Sequence, residues 1–278
     1  MPSNSSLIFQ EDPALCILRM AALCAGTDEM LDGETLDLMS EQVDTLTAVD
    51  AKDAWMELQR GLMARKPSTM FRVLYACGAL QRILPEVADI FGVPQIADDP
   101  PQVDIGQHML LALDEAANCM APLPVRFAIM VMNVGKADSP PEHLPVHYRH
   151  ADRAKPRIEA ICGRFGIPPA CRDLAMLALA ECERVHRVSE VRAGPVAEML
   201  ERLGAFDMPR RFMQMMTLCA CDYRAYPRRT GQDYAKAGLL LIALKACQNI
   251  TGLEADALRQ ARAVAIAAAF GSERWSDT

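Results

Sequence analysis

Apolar residues recur at intervals of three and four along nearly the whole chain, and this spacing constrains the fold more than any other feature of the sequence. Leu36, Met39 and Val43 form one such stripe. Because an α-helix has about 3.6 residues per turn, these residues fall on one helix face, whereas a half-buried strand requires alternation at every second residue. Alternating strand patterns are absent from the sequence. The pattern therefore predicts an all-α protein.

Polar and proline-rich residues indicate where the predicted helices begin and end. Asp32 precedes the stripe above, and Asp50 or Asp53 is placed to cap the next helix, since an aspartate side chain accepts hydrogen bonds from the free amides of a first turn. Residues 95–104, rich in Pro and Asp, are predicted to form a loop and the best internal boundary. Later helices are expected at about 104–120, 148–165, 169–183, 195–203, 208–223, 232–249 and 254–270.

The composition excludes several protein classes. Hydrophobic residues make up 51% of the 278 residues, which is enough for a sizeable core and excludes a disordered chain. The longest apolar runs are too short and too interrupted to span a bilayer, and the N-terminus has no signal-peptide pattern. The ten cysteines form no Cys-x-x-Cys pair, so we expect free thiols and a cytoplasmic protein.

The charged and histidine residues provide two weak indications of function. The net charge of -7 is unlike that of a strongly basic nucleic-acid binder, although six arginines crowd into residues 202–229. On charge pattern alone, a solvated helix face is the favoured interpretation of these arginines. His147 and His150 share a face if their segment is helical, but no carboxylate is fixed beside them as in a typical metal site.

Several segments are specific in combination, although each is weak alone. They are EDPALCILRMAAL, WMELQRGLMARKPSTMFRVLYACGALQRILPEV, FGVPQ, VDIGQH, VRFAIMVMNVGK and CDYRAYPRRTG. Their order resembles that of the bacterial tRNA nucleotidyltransferases, the multifunctional CCA-adding enzymes with an HD phosphohydrolase domain. The resemblance implies a helical neck and body over residues 1–98, an HD-like domain over 99–224 and a helical tail over 225–278. The family's nucleotidyltransferase head would precede these parts, and we expect this chain to lack it.

The resemblance also implies that the HD-like domain is degenerate. The His-Asp pair that ligates a metal in the family corresponds to Met132 and Asn133. An amide removes one negative charge, and a thioether suits a soft ion such as copper(I) rather than magnesium or manganese. We therefore expect no hydrolysis and no cofactor, since hydrolysis requires a metal-activated water. A residual divalent metal on the remaining counterparts of the family's ligands is the alternative; these are His108, His147, His150 and Asp222. A further family histidine falls near Glu183, with His186 close by.

The neck departs from the family pattern as well. In the family, an aspartate and an arginine read the base of the incoming nucleotide. Asp12 matches the aspartate, whereas Arg19 matches a family arginine only if one residue is inserted, and Leu15 or Cys16 stands at the first arginine position. A carboxylate without its guanidinium cannot present the same donor and acceptor edge, so base selection by this neck is not expected.

Three functions remain in competition. The first is a non-catalytic homologue that binds tRNA, another RNA or a partner chain. Its candidate RNA-binding residues are Lys136, Arg210, Arg211, Arg224, Arg228 and Arg229, while Asp98 and Asp99 argue against contact at their loop. The second is an HD-type, metal-dependent phosphohydrolase, acting as a 2',3'-cyclic phosphodiesterase or phosphatase with a rebuilt site. The third is a split CCA-adding enzyme whose head is supplied by another chain. The alternative to all three is a stable helical protein that retains the fold and binds no ligand.

Overall fold

The computed structural model describes residues 12–188, 192–252 and 254–274, and in these ranges the protein is built almost entirely of helices. Fourteen α-helices make it 71% helical, with two short strands. The all-α fold predicted from the apolar spacing is confirmed. None of the helices in the described ranges is long and apolar enough to cross a bilayer.

Six helices form the first part of the chain. They are α1 (Pro13–Thr27), α2 (Gly33–Gln42), α3 (Ala51–Leu62), α4 (Pro67–Ala76), α5 (Ala79–Ile83) and α6 (Pro85–Ala88), with a 3-10 turn at Val43–Ala48. Asp32 accepts a hydrogen bond from Thr35 N at 2.8 Å, and Asp50 accepts one from Lys52 N at 2.9 Å. The predicted aspartate caps of α2 and α3 are therefore confirmed. Helix α1 packs against α3 and α4.

A short antiparallel ribbon follows α6. Strand β1 (Pro94–Ile96) pairs with β2 (Gln102–Asp104), and Gln95 lies opposite Val103. The prediction of a loop for this segment is wrong in this respect, because strands of three residues are too short to show an alternating pattern. Asp104 then caps the next helix by accepting a hydrogen bond from Gln107 N at 2.7 Å.

Eight helices follow the ribbon. They are α7 (Ile105–Asn118), α8 (Leu123–Val131), α9 (His150–Phe165), α10 (Pro169–Arg187), α11 (Ala193–Arg202), α12 (Pro209–Arg224), α13 (Ala235–Ala246) and α14 (Ala255–Arg274). Two 3-10 turns, Val134–Lys136 and Pro141–His143, lie between α8 and α9. Helix α10 continues about one turn beyond its predicted end, and this extension places His186 on the helix.

Helix α8 lies at the centre of this second part. It packs against α10 and α12, and α12 also packs against α7. All its residues from Val125 to Val131 are buried, which is the burial expected of a helix that is apolar on every side. Arg126 is the one polar residue among them, and its guanidinium donates hydrogen bonds to three main-chain carbonyls. The close packing of α8 determines where the residues after its last turn must lie.

Candidate functional site

The end of α8 opens into a small cavity, which we call the α8 cleft. Met132 and Asn133 follow the last residue of α8 and are each only 6% exposed. Their cleft has a volume of about 100 Å³. It is lined by residues of α9, α10 and α12, by Gln95 of β1 and by residues that follow α8 and α12, including Met132, Asn133, Lys136, His150, Cys182, Glu183, His186, Asp222 and Tyr226. The cleft therefore brings together the candidate metal ligands His150 and Asp222 and the candidate RNA-binding residue Lys136.

A buried carboxylate joins two histidines at the edge of the cleft. His108 Nε2 donates to Asp222 Oδ1 at 2.9 Å, and His186 Nε2 donates to Asp222 Oδ2 at 3.0 Å. Burial by itself would raise the pKa of Asp222, but the adjacent His108 and His186 outweigh this effect and hold the pKa well below its usual range. Both carboxylate oxygens therefore have donors within the protein.

His186 has partners on both ring nitrogens. Its Nδ1 donates to the hydroxyl oxygen of Tyr234 at 2.8 Å, and Cys182 Sγ lies 3.4 Å from its Nε2. Burial alone would lower the pKa of His186, but the charge of Cys182 and the hydrogen bond to Asp222 raise it to about 10. The ring is thereby held in one orientation between α12 and the chain before α13.

The two remaining candidate ligands occupy different positions. His147 accepts a hydrogen bond from the Ser139 hydroxyl at 2.7 Å and donates to the carbonyl of Pro94 at 2.9 Å, so neither ring nitrogen is free for a metal. His150 lines the cleft, with its Nε2 3.6 Å from Glu183 Oε1. Burial and the nearby Lys136 lower the pKa of His150 to about 4. Of the four residues, His108 and Asp222 touch each other, His150 shares their neighbourhood and His147 lies outside.

These groups do not fit the divalent metal of an HD enzyme. Magnesium and manganese prefer oxygen ligands such as carboxylates, and imidazole nitrogen suits iron, nickel or zinc. At the position that the resemblance assigns to the paired His and Asp, the chain carries the thioether of Met132 and the amide of Asn133. The ammonium of Lys136 lies in the same cleft and donates to Gln95 Oε1 at 3.0 Å. We therefore derive no metal-dependent step at this position.

Two cysteines near the cleft were not singled out in the sequence. Cys182 Sγ lies 3.8 Å from Cys219 Sγ, and these sulfurs and a ring nitrogen of His186 all lie within 4.8 Å of one another. Across residues 12–188, 192–252 and 254–274, this is the one group of three or more His, Cys, Asp or Glu side chains found to converge as potential ligands of a single metal ion. The separation of four residues between Cys182 and His186 is the local signal, because residues four apart share a helix face.

The candidate base-reading residues of the neck are not brought together. Asp12 is the N-cap of α1 and accepts a hydrogen bond from Leu15 N at 3.0 Å. Arg19 donates its Nε to Glu57 Oε1 at 3.1 Å. Each side chain therefore has its own partner within the neck, and no shared edge is formed between them.

The candidate RNA-binding arginines are mostly engaged within the protein. Arg228 forms an ion pair with Asp99, and Arg229 forms one with Asp98. Two further candidates donate hydrogen bonds within the protein: Arg224 to Gln232 O and Lys136 to Gln95 Oε1. Arg211 lies against Gly204, and Arg210 is exposed with no ion pair in the described structure.

Comparison with a family model indicates a different surface. The model described as "Probable RNA and SrmB- binding site of polymerase A" matches residues 30–91. This range runs from just before α2 to just after α6 and contains none of the candidates Lys136 to Arg229. Six basic residues lie within it: Lys52, Arg60, Arg65, Lys66, Arg72 and Arg82.

Curated relatives cover nearly the whole chain. The chain is 39% identical to the Multifunctional CCA protein of Cupriavidus necator, over 95% of this chain and 67% of that protein. It is 40% identical to the Multifunctional CCA protein of Burkholderia multivorans, over 94% of this chain and 67% of that protein. For the Dechloromonas aromatica protein of the same name, the identity is 39% over 88% of this chain and 60% of that protein. The chain therefore spans about two thirds or less of the length of these relatives.

Proposed function

Because this chain belongs to the family of the multifunctional CCA proteins, we propose that it binds tRNA or a related RNA and does not hydrolyse phosphate esters in the α8 cleft. The observation that carries the first part is the match of residues 30–91 to an RNA-binding family model. The observation that supports the second part is the pair Met132 and Asn133 in the cleft.

RNA contact requires positive side chains that are free to meet phosphates. Within residues 30–91, three basic residues already have acidic partners: Arg60 pairs with Glu57, Lys66 with Asp114 and Arg82 with Asp44. Arg65 and Arg72 are exposed and form no ion pair in the described structure. Lys52 is exposed at the start of α3, also without an ion pair.

Arg72 lies near an exposed aromatic residue. Arg72 lies on α4, and Tyr75 follows it by three residues on the same helix face. The ring of Tyr75 is stacked on Phe91 with 4.5 Å between centroids, while the residue stays 51% exposed. A fixed, exposed aromatic ring beside an unpaired arginine is a combination on which an unpaired base stacks while its phosphate is neutralised. Arg65, in the turn before α4, is a second exposed arginine without an ion pair in the described structure. We define the α4 surface as Arg65, Arg72 and Tyr75 and propose that it binds RNA.

This proposal predicts a specific salt dependence. Titration of labelled tRNA with the protein at several salt concentrations should give a logarithmic slope that is shallower by about one to two units in the double variant Arg65→Ala, Arg72→Ala. A matched double variant, Arg82→Ala with Arg172→Ala, removes the same charge from arginines that are exposed and ion-paired, and should leave the slope unchanged.

A third double variant, Arg228→Ala with Arg229→Ala, separates the two candidate surfaces. If this variant alone loses the salt slope, RNA contact lies at the arginines predicted near the end of α12 and not at the α4 surface. Absence of binding by the unaltered protein at low salt would overturn the RNA-binding proposal itself.

The second part is tested by assaying the unaltered protein with 2',3'-cyclic AMP and a phosphate monoester in magnesium, manganese or nickel. We expect no turnover above buffer, because no carboxylate-imidazole pair stands at Met132-Asn133 to activate water. Metal-dependent turnover abolished by Asp222→Asn would favour the HD-type phosphohydrolase instead. A stable complex with a separate nucleotidyltransferase head that restores CCA addition would favour the split enzyme.

A further inference from the structure

A soft donor set lies beside the α8 cleft, on helices α10 and α12. Cys182 and His186 project from the same face of α10, and Cys219 faces them from α12. The sulfur of Cys182 is 3.4 Å from His186 Nε2 and 3.8 Å from the sulfur of Cys219. Cys182 is 7% exposed and Cys219 is fully buried. Two sulfurs and one imidazole nitrogen therefore converge where solvent is nearly excluded.

These separations match a tetrahedral zinc site. Zinc binds thiolate at about 2.3 Å and imidazole at about 2.0–2.1 Å, so two sulfurs on one tetrahedral ion lie about 3.8 Å apart and a sulfur and a nitrogen about 3.5 Å apart. The observed distances of 3.8 Å and 3.4 Å agree with these values. A second thiol pair, Cys119 and Cys221, has the same sulfur separation of 3.8 Å, but it belongs to no such donor group in the described structure.

The groups around His186 suit it to bind a metal through Nε2. Tyr234 holds the other nitrogen, Nδ1, at 2.8 Å, as the outer partner of a metal-bound histidine does. Asp222 Oδ2 accepts a hydrogen bond from Nε2 at 3.0 Å, and His108 holds the other oxygen of this carboxylate. Binding would displace the Nε2 proton that Asp222 now accepts.

From this arrangement we propose that Cys182, His186 and Cys219 bind one zinc ion, with water as the fourth ligand. Two thiolates neutralise the dication, so the filled site carries no net charge. The ion has a route from solvent, because His186 also lines a larger, open cavity of about 580 Å³ together with Tyr223 and Arg229. Its three ligands do not include the position that the resemblance assigns to the His-Asp pair, which falls at Met132 and Asn133 after α8.

The zinc ion would join α10 to α12 across the α8 cleft. Helices α10 and α12 pack against each other, and both pack against α8. Because the free energy of metal binding adds to that of folding, zinc is expected to stabilise this part of the protein. This inference is independent of RNA binding, and neither result decides the other.

The test uses the chain without a histidine tag. Zinc added to the chelator-treated protein and then removed from solution by gel filtration should remain at one equivalent per chain. Cobalt added in place of zinc should give intense thiolate-to-cobalt charge-transfer absorption and tetrahedral d–d bands. A weak six-coordinate cobalt spectrum, or no retained zinc, would overturn the proposal without any variant.

Variants locate the site. Cys182→Ala and Cys219→Ala should each lower zinc affinity by more than about 100-fold, since losing an outer partner alone costs about 10–100-fold. Cys119→Ala and His147→Ala are the matched controls and should retain both the zinc and the cobalt spectrum. Full zinc retention in Cys182→Ala would refute the assignment. Where a variant is less stable, the loss of zinc affinity is measured instead by comparing its thermal unfolding with and without zinc.

Discussion

Replacement of Arg126 by methionine should strongly destabilise the protein, because this buried side chain joins three segments. Its Nε donates to Ala121 O at 2.9 Å, and its Nη1 donates to Leu62 O at 3.0 Å and to Ala64 O at 2.9 Å. The residue is 4% exposed. Methionine would occupy the volume of the arginine stem but would leave all three carbonyls facing an apolar group.

The size of the effect follows from these contacts. A hydrogen bond from a charged donor contributes about 1.5–3 kcal/mol, so three at the lower limit contribute about 4–5 kcal/mol. Water reaching the carbonyls of the turn between α3 and α4 would recover part of this. We therefore expect Arg126→Met to lower the free energy of unfolding by about 3–4 kcal/mol, against a typical total of about 5–15 kcal/mol. With an m-value of about 3 kcal/mol/M, the urea midpoint would fall by about 1 M.

Urea unfolding followed by far-ultraviolet circular dichroism measures this change. Arg172→Met is the control: that arginine is exposed and pairs with Glu159 at 3.7 Å, so its loss should cost less than about 0.5 kcal/mol. Arg126→Lys should lie between the two, since lysine retains the charge but not the fork of donors. A loss below about 1 kcal/mol for Arg126→Met would refute the reasoning, because the three carbonyls would then need no internal donor.

Three further predictions concern packing, pH and a buried ion pair. Gly135→Ala should lower the free energy of unfolding by about 3 kcal/mol, because the added Cβ would lie 2.2 Å from the His150 carbonyl oxygen. Gly163→Ala, on the open side of α9, is the control and should be neutral or stabilising by up to about 1 kcal/mol. Burial and Lys136 lower the pKa of His150 to about 4, so His150 is protonated in the unfolded chain before the folded one as the pH falls below about 6.5. Up to about 3 kcal/mol of the free energy of unfolding should therefore be lost by about pH 4. His150→Gln should remove this pH dependence when unfolding is followed in a chelating buffer. Asp114 accepts hydrogen bonds from Ser68 N at 3.1 Å and from the Ser68 hydroxyl at 2.7 Å, and it forms an ion pair with Lys66 at 3.1 Å. Asp114→Ala should therefore cost about 3 kcal/mol in the same urea assay.

Local features of the fold were predictable because their cause is local. Helix α7 and the helices from α9 to α14 lie close to their predicted ranges, since apolar spacing and aspartate caps act within one or two turns. The ribbon of β1 and β2 was predicted as a loop, because strands of three residues carry almost no periodicity. The end of α10 was placed too early, and that extra turn carries His186.

The candidate site was predictable only in part. The resemblance drew attention to Met132 and Asn133 and grouped His108 with Asp222 as remaining metal ligands, and the structure places the latter two in contact at 2.9 Å. It also grouped His147 with them, although that side chain is held by Ser139 and Pro94. Whether His147 joins His108 and Asp222 depends on the direction of its side chain in the segment after α8, and residue spacing does not predict that direction.

The sequence by itself determined the all-α fold, because this depends on a repeat of about 3.6 residues, and it determined which side chains, Met132 and Asn133, follow helix α8. Only the tertiary structure decided which distant side chains meet. Arg229 meets Asp98 across 131 residues, and Cys182 meets Cys219 across 37. The second pairing follows from how α10 and α12 pack on α8 and on each other, and packing of that kind depends on the shapes of all the buried side chains together.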